Sequence, residues 1–521
     1  MAQSDLIPTG ISGLDTIFFG GISKGNIILV EGAAGTGKTL MGLEFIYRGI
    51  TEQNEPGMIV VFETSPRKLM RDAAGFGWNL EELEQQNKLK IIFTSPQVLD
   101  QELRSADSLL LETAAQIGAV RIFIDGISLL RTLSNGNSNG HGNGAASYRD
   151  LLQQLIAGLQ RENLTALLTH EVSVSPEQTS TMEIAEFLAD TVIVLKRESQ
   201  QSGLRRKLEI IKSRGQDFEA GAHTLRITGG KGLEVFTRVQ AQFRGADQPS
   251  SHAKRSAIGV EALDTLMGGG VFDGSTTMTV GISGAGKTVL GVQLLLEGAQ
   301  KQNRRGLMVS LDEHPAQILR NAKTLGLNLQ ERVDDGTIHL LYECPQELDI
   351  DAHFHRVTQT IEQHNIERLV VDGMTSYSTA LGDQRLYRDF FHALVSFSKN
   401  RLMTTFFNYE NPELFGVSHY MPEFGVSSIV DNIILMNFVE LGNSLHRAIT
   451  VAKSRGNPHQ FVSRQFVIEQ GGIQLLPVDE SKALPVYPFQ SYYGLLSRAP
   501  VRLGPDLLPP RGGVVPVTEA G

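Results

Sequence analysis

Gly32-Ala33-Ala34-Gly35-Thr36-Gly37-Lys38-Thr39 stands between an apolar run, Ile27–Val30, and a stretch of helical spacing, Leu40–Tyr47. Gly-x-x-x-x-Gly-Lys-Thr after a strand and before a helix is a P-loop. Its glycines let backbone amides curl around phosphate oxygens with no Cβ in the way, and the helix N-terminus adds partial positive charge. In this frame Gly32, Gly35, Thr36, Gly37 and Leu40 form the cradle. Lys38 reaches the terminal phosphates, and Thr39 offers a hydroxyl to Mg²⁺.

The motif returns as Gly281-Ile282-Ser283-Gly284-Ala285-Gly286-Lys287-Thr288, followed by Val289, with the two lysines 287 − 38 = 249 positions apart. Gly281, Gly284, Ala285, Gly286, Lys287, Thr288 and Val289 are thus a second nucleotide-binding set. Other stretches repeat in the same order. Gly13-Leu14-Asp15 matches Ala262-Leu263-Asp264, Ile124-Asp125-Gly126 matches Val371-Asp372-Gly373, and Lys212-Ser213-Arg214-Gly215 matches Lys453-Ser454-Arg455-Gly456. Two homologous domains account for the 521 residues. We expect a first domain over 1–240, a linker over 241–256, a second domain over 257–475 and a tail over 476–521. The tail holds 8 of the 19 prolines, which places it outside the second core. The Gly/Asn-rich stretch Ser134–Ala146 reads as a surface loop.

In the first half the β-branched runs Ile27–Val30, Met58–Phe62, Leu89–Phe93, Arg121–Ile124, Ala166–Thr169 and Val192–Leu195 alternate with helical patterns such as Arg149–Leu159. Such alternation predicts α/β domains, each a mostly parallel twisted sheet flanked by helices, with ligands at the carboxyl ends of the strands. Asp125 and Asp372 each close a β-branched run, the Walker B position from which a carboxylate holds the Mg²⁺ shell. Glu63 ends the strand that follows the P-loop helix and can polarise an attacking water. The second half offers Asp312 and Glu313 there, and Asp312 is a further candidate toward the metal. Lys212, Arg214, Lys453 and Arg455 sit far along the chain from their own P-loops. Basic residues of this kind often come from a neighbouring subunit to steady transition-state charge.

Composition narrows the function classes. Lys plus Arg is 47 and Asp plus Glu is 57, a balance of 47 − 57 = −10 that argues against general nucleic-acid binding. The single cysteine, Cys344, excludes an intrachain disulfide and a cysteine-built metal cluster. The opening residues lack a basic region followed by an apolar run, and no apolar stretch approaches the roughly 20 residues that span a bilayer. A soluble cytoplasmic protein without membrane contact is expected.

Together with these motifs, Phe62-Glu63-Thr64-Ser65-Pro66, Phe76-Gly77-Trp78, Leu319-Arg320-Asn321-Ala322, Asp431-Asn432-Ile433-Ile434-Leu435 and Arg464-Gln465-Phe466-Val467-Ile468 resemble the KaiC family of circadian-clock ATPases. The likeness spans roughly residues 5–475. It implies two RecA-like domains, ATP with Mg²⁺, and a double-ringed homohexamer with nucleotide between subunits. It also implies a hydrolysing N-terminal ring and a C-terminal ring that phosphorylates hydroxyls of the neighbouring subunit. By position, Glu63 corresponds to the ATPase base, and Asp312 with Glu313 to the kinase's acidic pair. The four basic residues correspond to contacts with the neighbour's nucleotide, and Ser427 with Ser428 to the phosphorylated pair. KaiA/KaiB-like partners follow from the same resemblance. The chain departs from the family at Thr64, where a second Glu stands, at Asp312, one methylene shorter than Glu, and at Pro422, where the family has a threonine. The tail does not match the one KaiC offers KaiA.

Two other functions use the same core. One is a DNA-dependent RecA-like ATPase, which requires a basic, aromatic strip that this sequence lacks. The other is a nucleotide-sensing signalling ring with weak or no kinase activity, suggested by Thr64 and Asp312.

Overall fold

The computed structural model describes residues 5–104, 108–131, 148–172, 179–200, 203–239, 254–411, 426–441, 444–457 and 462–477. Most of the expected linker, the Ser134–Ala146 stretch, Pro422 and the tail beyond 477 lie outside the described residues. The chain divides into two compact units, Met1–Ala246 with Gln346–Thr360, and Asp247–Pro345 with Ile361–Gly521. Within the first unit the short stretch is held by Asp351, whose carboxylate accepts Thr224 Oγ1 at 2.8 Å and the Val239 N–H at 3.0 Å.

The first unit opens with a two-stranded ribbon, β1 (Leu6–Ile7) and β2 (Ile22–Ser23). Its main sheet contains β3 (Ile27–Gly32), β4 (Gly57–Val61), β5 (Leu89–Phe93), β6 (Arg121–Asp125), β7 (Thr165–Glu171), β8 (Thr191–Gln200), β9 (Gly203–Ser213), β10 (Ala222–Thr228) and β11 (Gly232–Phe236). The order across the sheet is β5-β4-β6-β7-β3-β8-β9-β10-β11. The pairs from β5 to β8 are parallel, and those from β8 to β11 are antiparallel. The second unit repeats this. A ribbon of β12 (Arg255–Ser256) and β13 (Val271–Phe272) precedes β14 (Thr276–Gly281), β15 (Gly306–Ser310), β16 (Ile338–Tyr342), β17 (Arg368–Asp372), β18 (Thr404–Glu410), β19 (Asn432–Leu441), β20 (Ser444–Ser454), β21 (Ser463–Glu469) and β22 (Gly472–Leu475). Its order, β16-β15-β17-β18-β14-β19-β20-β21-β22, is the same topology. The six strand runs predicted for the first half are all strands. The antiparallel extension is the part that the alternating pattern did not forecast in full.

Both faces of each central strand are covered, so β3 is buried at every position, and so is β14. On one side β3 packs against helix Lys38–Gln53, which buries Met41, Leu43, Phe45, Ile46 and Ile50. On the other, Ile27 and Leu29 join a core with Leu152, Leu155 and Leu159 of helix Tyr148–Arg161. The P-loop is thereby clamped at the carboxyl end of the strand deepest in the sheet.

One buried cation recurs in both units. Arg121 and Arg368 open β6 and β17, and both are 0% exposed. Arg121 donates to Glu55 at 2.6 Å and to the carbonyls of Phe45 and Pro8. Arg368 has a carbonyl and a side-chain amide instead, Leu294 O at 2.5 Å and Gln302 Oε1 at 2.7 Å. Burial and the Arg304 charge push its guanidinium down to about 10. The helix packed on each arginine carries a glycine where it passes, Gly49 and Gly298. A Cβ there would meet Arg121 Nε at 2.4 Å or Arg368 Cδ at 2.5 Å.

Candidate active sites

Each P-loop helix starts without a side-chain cap. Gly37 and Gly286 occupy the N-cap positions at φ 111° and 105°, a region open mainly to glycine. The free amides of the first turn therefore face outward, a ready anion site. Gly32 and Gly281 are needed for another reason: a Cβ would meet Leu195 O at 2.6 Å and Met436 O at 2.2 Å, backbone that cannot yield. Lys38 Nζ donates to Gly32 O at 2.8 Å and Ala33 O at 2.9 Å. Lys287 does the same to Gly281 O and Ile282 O. The two amines are folded over their own loops, and burial lowers the affinity of both for a proton.

The residues expected to hold the metal, Thr39 with Asp125 and Thr288 with Asp372, come together in both units. Thr39 Oγ1 lies 3.0 Å from Asp125 Oδ2, and Thr288 Oγ1 lies 2.7 Å from Asp372 Oδ2. A further bond holds each aspartate. Thr169 Oγ1 donates to Asp125 at 2.6 Å, and Asn408 Nδ2 donates to Asp372 at 3.0 Å. Burial raises the Asp372 carboxyl, opposed by the Thr288 and Asn408 donors. A hydroxyl beside a carboxylate at an uncapped, lysine-bearing loop fits a nucleoside triphosphate with Mg²⁺. These oxygens suit a hard cation, which would take its remaining ligands from phosphate and water.

A cavity of about 710 Å³ in the first unit is lined by Lys38, Thr39, Glu63, Thr64, Asp125 and Glu171, among others. One of about 550 Å³ in the second is lined by Lys287, Thr288, Asp312, Glu313, Asp372 and Glu410, among others. The acids predicted for catalysis thus face their own phosphate loops. Glu313 is half-buried, and burial, reinforced by Asp372 and Asp312, raises its carboxyl above the ordinary range. Asp312 accepts a hydrogen bond from Ser376 Oγ. It sits so close over Gly373 that a Cβ there would meet its Oδ2 at 2.7 Å.

The basic pairs stand elsewhere and line neither cavity. Lys212 Nζ donates to Glu186 O at 2.6 Å, and Arg214 donates to Phe187 O at 2.8 Å. In the second unit Lys453 Nζ reaches Val430 O at 2.7 Å, and Arg455 reaches Ser428 O at 2.6 Å. A register shift beside each lysine, at Val192/Ile193 and at Ile433/Ile434, turns these strand ends. Ser427 and Ser428 lie in the helix Val426–Ile429, and Ser428 is exposed.

Thr169, Asn408, Glu171 and Glu410 were not foreseen. Their signal was present as a polar end on an otherwise apolar strand, Thr169-His170-Glu171 and Asn408-Tyr409-Glu410, in both halves.

A model of the KaiC ATPase family matches residues 7–240 and 256–480. The chain belongs to the KaiC family. The "Circadian clock oscillator protein KaiC" of Thermostichus vulcanus is 30% identical over 97% of this chain and 93% of its own length. The protein of the same name from Prochlorococcus marinus is 30% identical over 97% of each. "Circadian clock oscillator protein KaiC 1" of a Synechocystis strain is 29% identical over 96% of this chain and 92% of its own. This KaiC-family chain is therefore an ATPase-fold protein with two tandem RecA-like domains. No helix among its described residues is long and apolar enough to cross a membrane.

Proposed function

We propose that the chain is a Mg²⁺-dependent ATPase and serine autokinase that works as a homohexamer. In the first domain Glu63 takes a proton from water as it attacks the γ-phosphorus, and ADP and phosphate leave. In the second, a serine hydroxyl replaces water. Ser427 or Ser428 Oγ bonds to the γ-phosphorus, the bond to the bridging oxygen of ADP breaks, and the hydroxyl proton passes to Glu313 or Asp312. The observation that carries this reading is that each of the two lysine–threonine–aspartate sites has its own acid facing the same cavity. The proton affinity of Glu313, raised above the ordinary carboxyl, suits a base that must hold a proton during transfer.

Lys212, Arg214, Lys453 and Arg455 serve the neighbouring subunit's nucleotide in this reading, which agrees with their distance from their own loops. The names of the relatives suggest a clock role; KaiA/KaiB-like partners and a cytoplasmic place rest on the sequence reading alone. A nucleotide sensor with weak transfer is the second reading, supported by the Ser376 hydroxyl on Asp312.

Phosphosite mapping by mass spectrometry after incubation with ATP and Mg²⁺, beside a Ser427→Ala/Ser428→Ala control, tests the proposal. Phosphate on either serine, absent from the control, supports the autokinase. An unmodified chain with ATP bound leaves the sensor.

A further inference from the structure

A charged cluster lies beneath the phosphate site of the first domain. Glu31 and His170 are both 0% exposed, and Glu31 Oε1 is 3.2 Å from His170 Nδ1. On the other side of the ring, Nε2 is 2.8 Å from Arg131 Nη2. Arg131 in turn lies 5.3 Å over the Tyr148 ring. A guanidinium can only donate, so Nε2 accepts, and Nδ1 is left as the ring's donor position, in close contact with Glu31 Oε1 but outside hydrogen-bond geometry. A guanidinium, an imidazole and a carboxyl thus stand in a row. A lone carboxylate at this depth is costly unless compensated, and the ring nitrogen 3.2 Å away is a polar group placed to meet it.

The three residues belong to the three connections that carry the site. Glu31 precedes Gly32 on the P-loop strand. His170 lies between Thr169, which donates to Asp125, and Glu171, which lines the cavity. Side chains alternate along a strand, so His170 faces away from that cavity. Arg131 follows the turn Ile127–Leu130, which begins just after Asp125-Gly126. Among its described residues the second domain has no such row at the corresponding positions. Val280 and Tyr409 face each other in the register of Glu31 and His170. Ser378 stands six places after Asp372 (378 − 372), as Arg131 does after Asp125 (131 − 125).

We propose that Arg131, His170 and Glu31 are positioning residues for hydrolysis in the first domain. Their relay, with Glu31 and His170 buried and Arg131 half-buried, ties the P-loop strand to the strand end bearing Thr169 and to the turn leaving Asp125. The proposal rests on the reading of that domain as an ATPase.

The test uses the full chain with the second site silenced by Lys287→Ala. ATP hydrolysis is taken as the part lost on adding Glu63→Gln. Affinity for a fluorescent ATP analogue and the melting temperature without nucleotide are measured beside it. The triple variant Glu31→Val/Arg131→Ser/His170→Tyr carries the second domain's residues and strands no buried charge. It is expected to lose about tenfold or more in kcat, with KM, affinity and melting temperature near those of the parent. His170→Gln can accept from Arg131 and donate to Glu31, and is expected to keep most of the rate. His170→Leu is expected to lose it. Parental kcat in the triple variant overturns the relay. So does an equal loss in His170→Gln and His170→Leu, a comparison that stands even if the triple variant does not fold. A parent without Glu63-dependent hydrolysis overturns the ATPase reading as well, and shows it before any relay variant is made.

Discussion

The Glu44 carboxylate accepts the backbone N–H of Leu233 at 2.7 Å from a side chain only 1% exposed. Burial raises this carboxyl from its ordinary 4.5 to about 7, against the pull of the Leu233 N–H and Arg48. The folded protein therefore holds a proton that the unfolded chain releases above pH 4.5, and stability falls as pH rises from 4.5 to about 7. The shift corresponds to a penalty on the order of 3 kcal/mol above that window. In the second domain Gln293 Oε1 accepts the Ile473 N–H at 2.8 Å with no charge to bury. Glu44→Gln is expected to raise the first domain's melting temperature by several degrees at pH 8 and to leave it near wild type at pH 4.5. Calorimetry at the two pH values checks this, and an equal effect at both would refute the cause.

Gly298→Ala is expected to destabilise the second domain by about 2–3 kcal/mol, although alanine is the better helix former. The added methyl would lie 2.5 Å from Arg368 Cδ, and the guanidinium cannot retreat without losing its bonds to Leu294 and Gln302. Gly229→Ala, where nothing lies within 4 Å, is the control and should be near neutral. Denaturant melts of both variants decide whether close approach, rather than glycine content, sets the cost.

The two reactions should separate by acid. Glu63→Gln is expected to cut phosphate release by about a hundredfold or more while leaving serine phosphorylation intact. Glu313→Gln is expected to do the reverse. Both should still bind ATP, because neither removes a P-loop amide or lysine. Parallel measurement of released phosphate and of phosphoserine checks the pair. Loss of both products in either variant would mean that the two sites are not independent.

What was legible in the sequence was whatever is encoded locally. Strand–glycine–lysine–helix order fixed both P-loops, and a β-branched run ending in Asp marked Asp125 and Asp372. The sheet order was not legible, because it depends on which distant segments pair. Nor was the bond from Thr169 to Asp125, made across 44 positions. The buried row of Arg131, His170 and Glu31 was hidden for the opposite reason. Charged residues in an apolar stretch read as surface until their partners, scattered over the chain, are brought together. The antiparallel extension was only half visible, since the predicted runs stop at Val192–Leu195 and mark neither β9 to β11 nor the register shift at Val192/Ile193.

The distance of those basic residues from their own cavities makes a sharp test of a shared site. Lys287→Ala removes the phosphate contact from a subunit's own pocket. Arg455→Ala removes the basic group that, in the proposed reading, this subunit lends to another. Each variant alone should lack serine phosphorylation. Mixed and reassembled with ATP, some boundaries will pair an intact Lys287 pocket with an intact Arg455 donor. Phosphoserine should then return, to at most about a quarter of the wild-type level under random equal mixing. If Arg455 serves its own subunit instead, through its bond to Ser428 O, no mixture can restore a complete site. Phosphoserine would stay absent at every ratio, and the residue would be reassigned to holding the Val426–Ile429 helix.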